Sequence, residues 1–222
     1  RLASVDLLDR AAELLKHQVG FRLQGLDKAR VGSQLALLNL LDGKPQQALD
    51  ALQSSAMAGL PPELLLQRLH LQARAMADVE RVPEAIALLT GDTSPEAALL
   101  RAEIYWRAQD WPNAALAFDA LVEKPERGAA IDEASAKLVL SWATALTLAN
   151  DERGLAALRR SFGPSMAATS YKDMFNLLTS ALDRDLPDMP AVAAKIKEAE
   201  GFKTFMGAYK SRLQSNGLSG IN

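Results

Sequence analysis

The chain has 222 residues, of which 49% are hydrophobic, 23% are charged and 5% are aromatic. This apolar content argues against disorder, and 25 basic residues against 27 acidic ones, a formal net charge of -2, give no bulk electrostatic reason to bind nucleic acid or an anionic membrane. Because the sequence lacks cysteine, disulfides, iron–sulfur clusters, thiolate zinc sites and cysteine nucleophiles are excluded.

Apolar residues recur at helical spacing along the chain, and no segment shows the period-two alternation of a strand. Prolines stand just ahead of several of these stretches, as they do in the first turn of a helix. We therefore predict an all-α fold. The predicted helices span residues 4–18, 26–42, 45–55, 62–78, 82–89, 95–108, 112–123, 131–149, 152–162, 169–182, 189–199 and 201–214.

The start of the chain and its longest apolar run indicate what to expect of targeting and of membrane insertion. The chain begins Arg1-Leu2-Ala3, without an initiator methionine or a leader, so we expect it to be a segment of a larger protein. The longest nearly apolar run, 138–149, is shorter than the roughly 20 residues that span a bilayer. We expect a soluble protein without a membrane span, and the sequence leaves cytoplasm and periplasm open.

Three segments repeat one pattern, in which a first alanine is followed by further marked positions at offsets of 7, 12 and 16. The pattern consists of Ala36, Gly43, Ala48 and Leu52, then Ala73, Glu80, Ala85 and Leu89, then Ala102, Gln109, Ala114 and Phe118. Small residues at the first and third positions let two antiparallel helices approach closely, and the large fourth residue fills the space between units. Such units cannot bury their faces alone and must stack.

This pattern resembles the tetratricopeptide repeat, a helix-turn-helix unit of about 34 residues, in a degenerate, bacterial-type form. Tyr105 and Phe118 stand where the family has its tyrosine and its large aromatic residue. A fourth unit is out of register by one residue, because Gly154-Leu155 replaces the expected Ala-Leu pair. The resemblance implies an α-solenoid of stacked antiparallel helix pairs that forms a right-handed superhelix, with extra N- and C-terminal helices.

The whole chain, 1–222, is then a single helical-repeat domain. It consists of an N-terminal flanking helix at 4–28, three repeats at 29–125, a degenerate fourth helix pair at 131–162, and C-terminal helices with a cap at 165–214. The last helix carries Phe202, Phe205 and Tyr209 at helical spacing. This face either caps the array or docks onto a partner.

In the family that the pattern resembles, the first helix of each repeat faces a concave groove that contacts extended peptides. The resemblance implies that this groove is lined by Arg30, Ser33, Gln67, His70, Arg74, Glu103, Trp106 and Arg107. Ser33 and Leu37 replace the lysine and asparagine of the chaperone-binding members, so we do not expect their carboxylate clamp. The alternative to a role at the groove surface is that Leu37 packs against the N-terminal helix and that Trp106 packs between repeats.

The sequence offers no constellation of residues for catalysis, a metal or a cofactor. Gly20 and Gly25 have the spacing of a phosphate loop but lack the lysine that must follow, and the only histidines, His17 and His70, have no second ligand at a suitable spacing. We predict a non-catalytic scaffold, with no cofactor, that binds a peptide or helix of a partner protein. The alternatives are self-association, through Trp142 and its neighbours or the last helix, and an accessory domain of a larger enzyme.

Overall fold

The structure, a computed structural model, describes residues 2–126 and 129–180, which form ten α-helices and no strand. In chain order they are α1 (Leu2–Phe21), α2 (Gly25–Leu41), α3 (Pro45–Ser54), α4 (Pro62–Asp78), α5 (Val82–Leu88), α6 (Pro95–Arg107), α7 (Trp111–Leu121), α8 (Glu133–Leu148), α9 (Glu152–Met166) and α10 (Lys172–Ser180). The all-α prediction is confirmed. The helices predicted at 189–199 and 201–214, with the aromatic face of the last one, lie outside the described residues.

The chain divides into two compact units, Arg1–Asp92 and Thr93–Asn222. In the first unit α1 packs on α2 and α3, and α4 packs on α2, α3 and α5. In the second unit α7 packs on α6 and α8, while α10 packs on both α8 and α9. Each helix in the described part of the chain is too short or too polar to cross a lipid bilayer.

Four helix pairs, α2–α3, α4–α5, α6–α7 and α8–α9, are joined by the same kind of turn. A residue with positive φ ends the first helix of each pair: Gly43 (70°), Glu80 (63°), Gln109 (58°) and Asn150 (53°). The next residue then donates its N–H to the carbonyl oxygen five residues earlier, at 2.8 or 2.9 Å. This is the Schellman hydrogen bond, which satisfies a carbonyl that the helix end leaves free. Each pair is therefore a helical hairpin, and the fourth shares the turn of the other three.

The second helices of these hairpins start in two different ways. Asp110 and Asp151 accept a hydrogen bond from the backbone N–H of Asn113 and Gly154, and so cap α7 and α9. By contrast, α3 and α5 have no side-chain cap. Like α7, they carry a proline in the first turn, where its missing N–H costs no hydrogen bond. Local residue chemistry thus fixes where each second helix begins.

The alanines of the repeated pattern lie where the hairpin helices meet. Ala36, Ala73 and Ala102 are fully buried, and so are the alanines twelve residues further along. The large residues at the fourth position, Leu89 and Phe118 among them, are also buried. Small side chains allow close approach of two helices, and large ones fill the remaining space. The predicted packing positions are therefore buried in each of the three segments.

Two features of the second unit differ from expectation. Helix α9 continues past its predicted end at residue 162 to Met166, because Pro164 lies in the last turn and removes one backbone hydrogen bond without stopping the chain from remaining helical. Trp142 and Leu140 are buried, and the Trp142 ring packs edge-on against Phe162 with centroids 5.9 Å apart. Trp142 is therefore part of the core and offers little surface for the expected self-association contact, which stays a prediction.

Candidate functional site

The eight residues of the predicted groove differ strongly in burial. Five of them belong to the first unit and three to the second. Arg30 and Arg107 are exposed, Gln67, Arg74 and Trp106 are half-buried, and Ser33, His70 and Glu103 are buried. The buried three have no surface to offer an extended peptide in this conformation.

Two of the buried groove residues hold helices of the first unit in place. His70 Nε2 lies 2.7 Å from Asp92 Oδ2, which links α4 to the segment after α5. Ser33 donates its hydroxyl to the carbonyl oxygen of Ala29 within α2 at 2.9 Å, and it accepts a hydrogen bond from Arg68 Nη1 of α4 at 3.2 Å. Buried polar groups need such partners, because a polar group without one costs free energy. Both side chains therefore have a structural role in the described conformation.

Two of the three half-buried groove residues, Arg74 and Trp106, have partners on their own or adjacent helices. Arg74 Nε lies 3.1 Å from Asp78 Oδ2, one turn further along α4. The Trp106 ring makes edge-on contacts with Trp111, at a centroid distance of 5.3 Å, and with Phe118, at 5.8 Å. Trp106 therefore packs within the α6–α7 hairpin while keeping part of its surface accessible.

The first unit also contains a cavity of about 530 Å³ between α3, the connection that follows it, and α4. We call it the α3–α4 cavity. It is lined by Gln46, Leu49, Asp50, Leu52, Gln53, Ala56, Met57, Leu60, Leu65, Arg68, Leu69, Gln72, Met76 and Arg81. Met57 and Leu65 are 39% and 46% exposed, so the apolar lining is partly open to solvent.

The α3–α4 cavity and the predicted groove lie on opposite sides of α4. The cavity is lined from α4 by Leu65, Arg68, Leu69, Gln72 and Met76, whereas the predicted groove used Gln67, His70 and Arg74. At about 100° of rotation per residue, the two sets are centred roughly 180° apart around the helix axis. Sequence reasoning missed this cavity. Its signal in the sequence is a second stripe at helical spacing along α4, formed by Leu65, Leu69, Gln72 and Met76.

Arg68 is a buried charge at the border of this cavity, with only 7% of its surface exposed. Its Nη1 donates to the carbonyl oxygen of Ala29 at 2.7 Å and to the hydroxyls of Ser33 and Ser55, each at 3.2 Å. Its Nη2 donates to the carbonyl oxygen of Leu52. Every one of these acceptors is neutral. Arg68 therefore joins α2, α3 and α4 by hydrogen bonds without an anionic partner among them.

A glycine creates the space for this arrangement. A Cβ atom on Gly32 of α2 would lie 1.8 Å from Ser55 Oγ and 2.3 Å from Ser55 Cβ. Only glycine therefore lets Ser55 approach α2 closely enough to meet the Arg68 guanidinium. Burial lowers the pKa of the Arg68 guanidinium from its usual value. Arginine nevertheless keeps its proton near neutral pH, so the cavity borders a permanent positive charge.

The described residues contain no cluster of three or more histidine, cysteine or acidic side chains that could hold a metal ion. Comparisons of the chain with protein-family models, with curated proteins and with solved structures found no match. The residues around the α3–α4 cavity offer apolar surface, amide groups and a buried guanidinium.

Proposed function

We propose that the chain is a non-catalytic helical-repeat module that binds a peptide or helix of a partner protein. The proposal includes a tetratricopeptide-like stacking of the helix pairs into a right-handed superhelix. Its support is the common turn of the four hairpins and the buried alanines of the repeated pattern. The observation that carries the binding function is the α3–α4 cavity.

The size and lining of the α3–α4 cavity suit side chains of a protein ligand. Its volume of about 530 Å³ lies within the range of ligand pockets in proteins, roughly 300 to 1,000 Å³. The half-exposed Leu65 and Met57 offer apolar contact area, and a methionine adapts its shape to varied partners. The amides of Gln46, Gln53 and Gln72 can both donate to and accept from a peptide backbone.

The same lining argues against catalysis at this place. Among the described residues around the cavity there is no serine, threonine, tyrosine, histidine or lysine, and the single carboxylate is that of Asp50. General acid–base or nucleophilic catalysis requires paired groups of these types within hydrogen-bonding distance. The cavity is therefore better suited to binding than to reaction.

Selection from a phage-displayed library of short random peptides tests the proposed function. We expect peptides to be enriched on the immobilised folded chain, and the enriched peptides to lose affinity for the Leu65→Glu variant. Leu66→Glu is the matched control, because Leu66 is the adjacent residue, is similarly exposed at 41% and does not line the cavity. Failure to enrich any peptide above the level of an unrelated helical protein would overturn the proposal.

The predicted groove face gives the same experiment a second arm. A double variant, Gln67→Ala with Arg74→Ala, alters the opposite side of α4 and leaves the cavity lining intact. Peptides that respond to this variant and not to Leu65→Glu would move the binding surface to the predicted groove. Sedimentation of the isolated chain tests self-association, since a binding module should stay monomeric as its concentration is raised.

A further inference from the structure

The charge of Arg68 is not neutralised by the described part of the chain. Its four hydrogen-bond acceptors are two backbone carbonyls and two hydroxyls, and no described carboxylate forms an ion pair with it. Burying a cation among neutral acceptors costs solvation free energy that hydrogen bonds recover only in part. An anion that reaches this guanidinium is therefore favoured by more than it would be at the protein surface.

The Nε–H of Arg68 differs from the other N–H groups of this side chain in its hydrogen bonding. The hydrogen bonds of Arg68 all start from Nη1 and Nη2, so Nε has no protein acceptor in the described residues. Among fully buried side-chain nitrogen and oxygen atoms of those residues, however, only Ser165 Oγ lacks a partner. Nε is therefore not fully buried, and the space that Arg68 borders is the α3–α4 cavity.

Arg68 Nε and Nη2 together form one side of the guanidinium fork. Nη2 carries two hydrogens and donates to one acceptor in the described residues, the carbonyl oxygen of Leu52, so one of its N–H groups is left for a ligand. Two adjacent N–H groups match the two oxygens of a carboxylate. The fork is thus held in position by hydrogen bonds of Nη1 and Nη2 before any ligand arrives.

The remaining charges around the cavity are partly paired. Among the described residues, Arg81 is the second cation of the lining, and its Nε forms an ion pair with Glu84 at 3.1 Å. Asp50, the one carboxylate of the described lining, is exposed and accepts a hydrogen bond from Gln46 at 3.2 Å. Arg68 is therefore the cation of the described lining that has no acidic partner. Apolar contact area next to this charge comes from Leu65 and Met57.

We propose that the α3–α4 cavity recognises a glutamate or aspartate side chain of a partner peptide, flanked by a large apolar side chain. The carboxylate accepts hydrogen bonds from Arg68 Nε–H and Nη2–H, and the apolar neighbour packs on Leu65 and Met57. This inference rests on the proposed peptide-binding function and adds the chemistry that the cavity selects.

The test uses a cellulose array of all terminally blocked tripeptides, probed with the fluorescently labelled chain. Blocked termini ensure that side chains supply the only carboxylates. We expect the strongest signals from peptides in which an acidic residue is next to leucine, isoleucine, methionine or phenylalanine. In solution, replacing the acidic residue of such a peptide by its amide counterpart should weaken binding about tenfold or more, because the ion pair with a desolvated guanidinium is lost.

Two measurements locate the bound carboxylate. The NMR signal of Arg68 Nε–Hε should shift when the acidic tripeptide is added and should stay in place with the amide counterpart. Replacing Arg68 also removes the link between α2 and α3, so Leu65→Glu provides the independent variant: its added carboxylate should repel the acidic peptide, while Leu66→Glu should bind it unchanged.

The outcomes separate this inference from the proposed function. An array without preference for acidic residues, or acidic peptides that leave the Arg68 signal unmoved, overturns the inference. If library peptides nevertheless bind and lose affinity for the Leu65→Glu variant, the peptide-binding function stands without the preference for acidic peptides. If neither library nor array yields a ligand, both fall together.

Discussion

Replacing Gly32 with alanine tests the close contact of α2 and α3 on which the Arg68 site depends. The new Cβ would lie 2.3 Å from Ser55 Cβ and 3.2 Å from the carbonyl oxygen of Ala51, whereas ordinary contacts lie at 3.4–4 Å. Rotation of the Ser55 side chain moves its hydroxyl but not its Cβ. The end of α3 must therefore move away from α2 by about 1 Å, taking Ser55 away from Arg68.

Two losses and one gain determine how far Gly32→Ala changes the free energy of unfolding. Overpacking a contact of this kind costs roughly 1 to 3 kcal/mol, and weakening a hydrogen bond to the buried guanidinium costs about 1 kcal/mol more. Alanine is preferred over glycine inside a helix by about 1 kcal/mol, which offsets part of that loss. We expect Gly32→Ala to lower the free energy of unfolding by about 2 kcal/mol.

Gly20→Ala is the matched control, because Gly20 is also helical and a Cβ there meets nothing within 4 Å. Without a clash, the helical preference of alanine should raise stability by about 0.5 to 1 kcal/mol. Urea unfolding followed by far-UV circular dichroism measures both variants. Hydrogen exchange should place the lost protection of Gly32→Ala in α2 and α3. A Gly32→Ala protein that is as stable as the wild type would refute the close contact.

Three further substitutions test the packing, one turn and one ion pair of the hairpin helices. Ala102→Leu should lower stability by roughly 1 to 3 kcal/mol, whereas Ala129→Leu, at an exposed position, should leave the melting temperature almost unchanged. Glu80→Gly should raise stability by about 0.5 kcal/mol in urea unfolding, because the positive φ of this residue is strained for any side chain. The pKa of Glu133 is lowered in the folded chain, first by its hydrogen bond with Lys137. The Glu133 carboxylate therefore stabilises the fold at a pH above its unfolded pKa near 4.5, and this stabilisation is lost as the pH falls through the folded pKa. The melting temperatures of wild type and Glu133→Gln should therefore converge in acid.

The hairpins could be predicted from the sequence because their signals are local. Proline at a helix start and alanine at a helix contact leave a mark within one segment, and α4 has the predicted bounds, Pro62–Asp78. The fourth hairpin shows where such signals fail. Its turn lies at Asn150, in line with the other three, yet the close-approach residue is Gly154, one position before Leu155. A Cβ on Gly154 would lie 2.5 Å from Leu146 Cδ2, so the small residue sits where this hairpin needs it.

The Arg68 site could not be predicted, because it depends on contacts between distant segments. Arg68 lies 39 residues from Ala29 and 13 from Ser55 along the chain, and nothing in α4 alone requires this arginine to be buried. A glycine inside α2 and a serine just after α3 look like ordinary helix and turn residues. Their importance appears only when the helices are packed and the space above Gly32 is filled by Ser55.

The two sides of α4 differ in what a ligand would have to displace. On the predicted groove side, His70 is held by Asp92, and Arg74 by Asp78, so a ligand that uses these side chains must first break internal interactions. On the cavity side, Arg68 donates from Nη1 and Nη2 to neutral acceptors, and its Nε–H has no acceptor among the described residues. A bound carboxylate there adds an interaction without removing one, and it reduces the cost of a buried charge. This difference is why the cavity side, rather than the side that the repeat pattern indicated, carries the proposed binding site.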